Sequence, residues 1–409
     1  MAGQQVVDLY YDPYSFEIDE DPYPYFKRLR DEAPLYYNEK YDFYALSRYD
    51  DVLAASKDWK TYSSARGTVL ELLDLPPEHI PRMMIFMDPP QHTRMRNIVS
   101  RGFTPRHIAR LENRAREIAR ELLAPFGPGD TFDLIQDFSA PFASMVIGEL
   151  AGVPREDLDI VRQWGEEQLT LEEGEEAFRG AKTMAAEAGS DLARARRDVW
   201  QYFKELAGLR RAEPQDDMIS AIIASEIEEE GEARPLDERE LLDFIGLLSG
   251  AGTETVSRLM GWAGTLLPAH PDQFAQLRGD FSLLPGAVEE LLRIEAPTPV
   301  QARITTRPVT VHGTVLPVGT KVLLLTGAAG RDERQYAEPD RFDIHRGAKH
   351  VSLGQGVHFC LGASLARLEA RVALEELITR FGGWVPELDG AERIHTSTVR
   401  GYRRLPVKV

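Results

Sequence analysis

Cysteine is almost absent from this sequence: its 409 residues include only Cys360. A single thiol cannot close a disulfide within the chain, and it leaves no cysteine cluster for a structural zinc ion or an iron–sulfur centre. We therefore expect the protein to work in a reducing, cytoplasmic environment.

Long apolar runs and an excess of basic residues are missing as well. No segment approaches the roughly 18 uninterrupted apolar residues of a membrane span, and the amino-terminal stretch lacks the pattern of a signal peptide. The chain has 48 Lys plus Arg against 66 Asp plus Glu, which gives a net charge of −18. This charge disfavours non-specific binding to nucleic-acid phosphates or anionic lipid. We therefore expect neither nucleic acid nor a membrane as a partner.

The sequence does have a strong helical pattern. Its 43% hydrophobic residues suffice for a large core. Apolar residues recur at three- and four-residue intervals in several long segments, which predicts helices over 105–127, 156–169, 238–267, 284–297 and 363–383. Strand patterns are fewer, and we find them at 41–49 and at 308–325, the second with a His312-Gly313 turn. We predict a mainly α fold with a minor β-sheet region, in a single large domain over 1–409.

Glycines cluster around the one cysteine. Gly354, Gly356 and Gly362 frame Cys360 directly before the last helical segment. This density predicts a tight loop whose backbone turns sharply or approaches something flat, and a position just before a helix favours the thiolate. From the residues alone three interpretations stay open: a buried small hydrophobe, a Cys/His nucleophile using His358, or the thiolate ligand of a metal cofactor. We favour the ligand, and haem iron is the natural metal for a single thiolate.

The segment LGQGVHFCLG resembles the haem-binding loop of the cytochrome P-450 monooxygenases, whose pattern is FGxGxHxCxG. The resemblance implies that Cys360 is the axial ligand of haem b and that Gly354 and Gly362 belong to the cofactor-binding loop. It also implies that His358 lies near a haem propionate. The sequence departs from the pattern at Leu353, where the family usually has Phe. We expect this change to alter the electronics or exposure of the sulfur without removing ligation.

The helical segment 238–267 contains an acid and an alcohol beside glycines. Each glycine within a helix costs roughly 1 kcal/mol relative to Ala, so the segment needs a close approach or a distortion there. Glu254 and Thr255 are suited to relaying protons to a bound oxygen species. The motif AGTET resembles the oxygen-activating helix of the family. The resemblance implies that Glu254 and Thr255 are catalytic and that Ala251 and Gly252 contact the cofactor.

The resemblance assigns roles to two further groups of charged residues. Glu290 and Arg293 share one helix face. The resemblance joins them to Arg341 in a structural triad behind the haem. His92 and Arg96 also share a helix face and can present two donors to an anion. The resemblance assigns this second pair, together with Arg303, to a haem propionate, whose burial is costly unless it is paired.

The resemblance also implies electron-transfer partners. No flavin or iron–sulfur module is recognisable in the chain, so electrons would come from a ferredoxin and its NAD(P)H-dependent reductase. Four arginines in the segments expected to flank the cysteine form a candidate docking patch for such an acidic carrier: Arg94, Arg101, Arg367 and Arg371. Ordinary solvated arginines are the alternative interpretation. We expect the enzyme itself to be a monomer.

The implied function is haem-dependent monooxygenation of an organic substrate by O2 and two electrons. A peroxide-driven enzyme of the same fold, or a haem protein that acts only as sensor or carrier, is the alternative, and the Glu254–Thr255 motif disfavours both. By analogy with the family, Phe86, Leu247, Ala251 and Val300 line a pocket for a largely apolar small molecule. The loop between Gln168 and Ala188 is expected to shape access to it.

Overall fold

The structure of the protein is a computed structural model that describes residues 9–162, 191–229, 231–347, 349–396 and 398–409. The expected access loop between Gln168 and Ala188 lies outside the described residues, as does part of the predicted helix 156–169. None of the helices in the described ranges combines the length and the hydropathy that a membrane span requires.

Helices dominate the described residues, and four of the predicted helical segments are confirmed, with the first, 105–127, divided by a short 3-10 turn. The helices are α1 Phe16–Glu20, α2 Tyr23–Glu32, α3 Tyr49–Lys57, α4 Leu70–Leu73, α5 Gln91–Ser100, α6 Pro105–Ile108, α7 Glu112–Leu123, α8 Ala140–Ala151, α9 Asp191–Ala212, α10 Met218–Ile223, α11 Glu238–Ala269, α12 Pro271–Gly279, α13 Leu284–Ile294, α14 Thr326–Ala329 and α15 Ala363–Phe381.

The strands are short and form small sheets. They are β1 Leu35–Asn38, β2 Phe43–Leu46, β3 Tyr62–Ser63, β4 Thr131–Asp133, β5 Glu226–Glu229, β6 Glu232–Pro235, β7 Gln301–Thr305, β8 Val309–Val311, β9 Thr314–Leu316, β10 Lys321–Leu324, β11 Val385–Pro386, β12 Glu392–His395, β13 Arg400–Arg404 and β14 Pro406–Lys408. The largest sheet has the order β1-β2-β10-β7-β3. The predicted His312-Gly313 turn joins β8 to β9, and both residues have positive φ, which suits a tight hairpin.

The 32-residue helix α11 runs through the largest hydrophobic cluster, which also contains buried residues of α7, α8, α13 and α15. It begins at a capping box in which Asp237 accepts from the backbone N–H of Glu240 and the Glu240 side chain accepts in return. The helix is continuous through its glycines. A Cβ atom on Gly252 would lie 2.8 Å from Cγ1 of Ile147 on α8. Close approach, rather than a distortion, therefore explains this glycine.

A carboxyl group is buried in the same core without a partner. Glu369 on α15 is 1% exposed, and among the described residues neither of its carboxyl oxygens has a hydrogen-bond partner. Burial raises the pKa of Glu369 well above its usual range, because the charged form loses its hydration there. The folded protein therefore binds a proton at this position that the unfolded chain releases.

We predict that Glu369→Gln stabilises the protein at alkaline pH. Since the pKa of this acid is higher in the folded than in the unfolded chain, the wild-type free energy of unfolding falls as pH rises above the unfolded value of about 4.3. Neutral Gln removes this dependence on pH. We therefore expect the free energy of unfolding of Glu369→Gln to exceed that of the wild type by about 1–3 kcal/mol at pH 8, and the difference to shrink towards pH 5. Urea unfolding at several pH values measures it, and a difference that does not change with pH would contradict the prediction.

Candidate functional site

Cys360 sits at the end of a closed loop between a short 3-10 turn, Gly356–His358, and helix α15. Its backbone N–H donates to the carbonyl oxygen of Leu353 at 2.8 Å, which closes the loop. Gly354 and Gly356 both have a φ of +69°, which a side chain would strain. A Cβ on Gly356 would also lie 3.0 Å from the backbone of α3. The glycines predicted from sequence thus fix the turns that present the thiol.

The environment of the Cys360 sulfur opposes a free thiolate and favours a cation-bound one. Burial raises the pKa of the Cys360 thiol, whereas the backbone N–H of Gly362 and the positive charges of Arg96 and Arg367 act in the opposite direction. A metal ion would add positive charge at the sulfur and deprotonate a coordinating thiol. The chemistry of this donor therefore fits an axial ligand of iron.

Two histidines meet beside the cysteine loop. The rings of His92 on α5 and His358 have centroids 4.4 Å apart, and His92 Nδ1 and His358 Nε2 are buried without hydrogen-bond partners among the described residues. Burial, together with the charge of Arg96, lowers the pKa of His92 to about 4. Burial and the charge of Arg303 lower the pKa of His358 to about 3. Both rings are therefore neutral at pH 7, and each has a polar nitrogen left unused.

Two arginines complete this cluster, and neither has a carboxylate within 4 Å among the described residues. Arg303 on β7 is 4% exposed, and it donates to the carbonyl oxygen of Ala302 and the side-chain oxygen of Gln301. Burial lowers the pKa of Arg303 to about 10. Arg96 donates to the carbonyl oxygen of Phe359 at 2.7 Å, next to the cysteine.

A ligand with carboxylate groups would satisfy this cluster of His92, Arg96, Arg303 and His358. Buried cations need an anion, and unused buried donors carry a desolvation cost. The propionates of haem are such anions, and the thiol that would ligate its iron lies beside the cluster. The residues present therefore fit the cofactor that the sequence predicts.

Helix α11 presents two different faces at the predicted catalytic motif. Leu247, Ala251 and Thr255 follow one another at four-residue intervals, so they share a face, on which Ala251 is exposed and Thr255 half-buried. The Thr255 hydroxyl donates to the Ala251 carbonyl at 3.0 Å. Glu254 is 5% exposed and forms a buried ion pair with Arg258. The predicted alcohol and acid are therefore sequence neighbours with different surroundings.

The predicted substrate-pocket residues occupy different environments. Phe86 lines a cavity of about 760 Å³ that Met87, Gln91 and residues of the β5–β6 hairpin also border. Leu247 and Ala251 lie on the face of α11 described above, and neither lines this cavity. Val300 is 6% exposed, within a hydrophobic cluster beside the five-stranded sheet.

The predicted triad needs one correction. Glu290 and Arg293 do form a buried bidentate pair, at 2.7 and 2.8 Å, but the third side chain is Arg346, whose Nε lies 3.0 Å from Glu290. Arg341 pairs with Glu338 and its side chain is 57% exposed. The reason is the backbone: the carbonyl of Arg341 accepts hydrogen bonds from Arg293 and Arg346, and its side chain points outward. Sequence reasoning missed Arg346 because it lies in a loop without periodicity.

Only some arginines of the candidate docking patch lack a carboxylate partner among the described residues. Arg367 binds Glu289, and Arg371 binds Glu112 and Glu375, so the charges on α15 are largely offset. Arg94 is half-buried and Arg101 exposed, and neither has a carboxylate within 4 Å in the described part of the chain. Unpaired positive charge therefore concentrates on and just after α5.

Comparison with known proteins supports the predicted family. A family model described as Cytochrome P450 matches residues 19–402. The chain is 38% identical over 405 residues to "Putative cytochrome P450 123" of Mycobacterium tuberculosis, covering 98% of this chain and 97% of that protein. A mutant of P450 EryK in complex with erythromycin B has a TM-score of 0.85 and 32% identity, covering 96% of both chains. P450BioI in complex with an acyl carrier protein ligated with hexadec-9Z-enoic acid has a TM-score of 0.83 and 31% identity, covering 96% of this chain and 99% of that chain. The predicted mainly α fold with a minor β-sheet region is confirmed.

We predict that Arg346→Ala destabilises the protein far more than Arg341→Ala. Loss of Arg346 removes a charge-assisted hydrogen bond from the buried Glu290 carboxylate, which costs about 2 kcal/mol. Arg341 is an exposed surface residue, so its loss should change stability by less than about 0.5 kcal/mol. Urea unfolding of both variants measures the difference. Equal effects would contradict the assignment of Arg346 to the triad.

Proposed function

Since the chain belongs to the cytochrome P450 family and is a haem-dependent monooxygenase, we propose that it oxidises a largely apolar small molecule with Cys360 as the axial ligand of its haem b. One observation carries the assignment of the site: the buried His92 and Arg303 and the half-buried Arg96 and His358 lack a carboxylate partner among the described residues and lie beside the loop that holds the one cysteine. Haem bears both groups that this arrangement needs, an iron for the sulfur and carboxylates for the donors.

When bound, the haem supplies the reductive activation of O2. The side chains of His92, Arg96, Arg303 and His358 would hold its propionates by charge-assisted hydrogen bonds. Gly354 and Gly362 keep the backbone beside Cys360 free of side-chain bulk, and Gly252 lets α11 lie against α8. The exposed Ala251 face of the helix would then contact the cofactor.

Thr255 and Glu254 are the proposed proton-handling residues. The Thr255 hydroxyl lies on the half-open face of α11, and its bond to the Ala251 carbonyl fixes the direction of the proton and leaves an oxygen lone pair to accept another. Glu254 is the adjacent acid, and it forms a buried ion pair with Arg258. In the proposed relay the Glu254 carboxylate first accepts a proton from solvent water and then releases it to the Thr255 hydroxyl, which passes its own proton to the open side of the helix.

We also propose the redox partners, the assembly state and the cellular environment of the enzyme. A ferredoxin, reduced by an NAD(P)H-dependent reductase, supplies the electrons, and its acidic surface docks at Arg94 and Arg101 near the cysteine side. We propose that the enzyme works as a monomer and as a single domain in the reducing cytoplasm, an environment that the one free cysteine favours. The substrate of the proposed reaction is a largely apolar small molecule, which Leu247 and Ala251 on one face of α11 would contact.

We predict that Cys360→Ser abolishes the red-shifted carbon monoxide band of the reduced haem protein, because an alcohol does not replace the thiolate as a donor. Ser364→Ala, a change of similar size in the first turn of α15, should retain the band. Difference spectra of freshly purified protein measure it. A wild-type protein without the band, or a Cys360→Ser variant that keeps it, would refute the proposed ligand.

We also predict that Thr255→Ala uncouples electron use from substrate oxidation. Without the hydroxyl, protons are delivered poorly, and the fraction of consumed NADPH that ends as hydrogen peroxide should rise about tenfold. Thr253→Ala is the matched control, because that hydroxyl is buried and donates to the Ser249 carbonyl on the same helix. The measurement uses a ferredoxin and reductase with a ligand that shifts the Soret band, and equal peroxide yields in both variants would contradict the relay. Faster turnover with hydrogen peroxide than with the reductase pair would favour the peroxide-driven alternative.

A further inference from the structure

One carboxylate contacts both sides of the cysteine loop. Glu289 on α13 accepts two hydrogen bonds from Arg367 on α15, Nε to Oε1 at 2.6 Å and Nη2 to Oε2 at 2.9 Å. The same Oε2 lies 3.2 Å from Nε2 of His350, in the segment that leads into the loop. Glu289 therefore ties the arm before Cys360 to the helix after it.

The hydrogen bonds define the state of the histidine. The backbone N–H of Ser352 donates to Nδ1 of His350 at 3.3 Å, so Nδ1 is unprotonated and Nε2 carries the proton that Glu289 accepts. Ser352 immediately precedes Leu353, whose carbonyl oxygen accepts from the backbone N–H of Cys360 at 2.8 Å. A continuous chain of short contacts thus leads from the Glu289 carboxylate to the backbone of the cysteine.

Glu289 also sets the net charge near the sulfur. Arg367 lies about one turn into α15, the helix that begins three residues after Cys360, so its positive charge acts near the sulfur. Burial likewise opposes the ionisation of Glu289, but hydrogen bonds from Arg367 and His350 outweigh it and lower the pKa of Glu289 to about 2. The carboxylate is therefore charged at pH 7 and offsets part of the Arg367 charge.

We propose that Glu289 is a positioning residue for the Cys360 ligand: its carboxylate fixes the cysteine loop between His350 and Arg367 and moderates the positive charge that Arg367 places near the sulfur. The inference rests on the proposed role of Cys360 as the haem ligand. Neither the sequence motif around the cysteine nor the Glu290 triad includes this contact.

The test compares two neutralising substitutions, Glu289→Gln and Glu375→Gln. Glu375 is the matched control, because it is also half-buried and pairs with two arginines, Arg371 and Arg116, that have no hydrogen bond to the cysteine loop among the described residues. Two quantities are measured without a redox partner: the reduction potential of the haem iron and the lifetime in urea of the red-shifted carbon monoxide band. For Glu289→Gln we expect a more positive potential, since uncompensated positive charge favours the reduced iron, and a lifetime shortened about tenfold by the lost ionic hydrogen bonds. Glu375→Gln should leave both near the wild-type values.

The double variant separates the charge effect from general damage. Arg367→Gln should shift the potential in the negative direction, and Glu289→Gln combined with Arg367→Gln should return it towards the wild-type value. If Glu289→Gln does not retain haem, His350→Ala, which leaves the Glu289–Arg367 pair intact, should shorten the band lifetime with little change in potential. The inference would be overturned if Glu289→Gln had the same reduction potential and the same band lifetime as Glu375→Gln. It would also be overturned if His350→Ala left the band lifetime unchanged. A wild-type protein without the band would instead refute the proposed function.

Discussion

The site depends on buried and half-buried positive charge, and on unused ring nitrogens, that no acid among the described residues neutralises. The chain has an excess of acidic residues, with a net charge of −18, yet Arg96 and Arg303 have no carboxylate within 4 Å among the described residues. Burying unpaired cations is among the most costly arrangements in a protein interior. The cost is reasonable only if a ligand supplies the anions. Helix α5, strand β7 and the cysteine loop bring these side chains together, and the propionates of a haem would supply the missing anions.

Acidic residues are used instead to hold the structure behind the cysteine. Glu290 receives hydrogen bonds from Arg293 and Arg346, and Glu289 receives them from Arg367 and His350. Both acids lie on α13, so one short helix fixes the loop that leads to Cys360 as well as the helix that follows it. Arginines without carboxylate partners thus remain where an anionic ligand would bind. The ion pairs of Glu289 and Glu290 lie where the cysteine loop and the helix after it have to be held rigid.

The sequence alone was sufficient for features that depend on local spacing. The glycines around Cys360, the His92–Arg96 spacing and the long helix through Glu254 are local patterns, and the structure contains the predicted loop and helices. Contacts between distant segments could not be predicted in this way. The exchange of Arg341 for Arg346 in the triad follows from the backbone of a loop, and the pairing of Arg367 joins residues 78 positions apart. Such contacts depend on tertiary structure, and the spacing of residues along the sequence does not indicate them.

The geometry of α11 limits how the acid and the alcohol can cooperate. Neighbouring residues in an α-helix point about 100° apart, so Glu254 and Thr255 cannot face the same space. Their surroundings differ accordingly: the acid is buried against Arg258, whereas the hydroxyl lies with Ala251 on the half-open face. Because the helix is continuous for 32 residues and fixed against α8 at Gly252, this angle cannot relax by local unwinding without loss of core contacts. In the proposed relay a proton passing from Glu254 to the open face would therefore have to travel around the helix, and Thr255 is the hydroxyl nearest in sequence on that face.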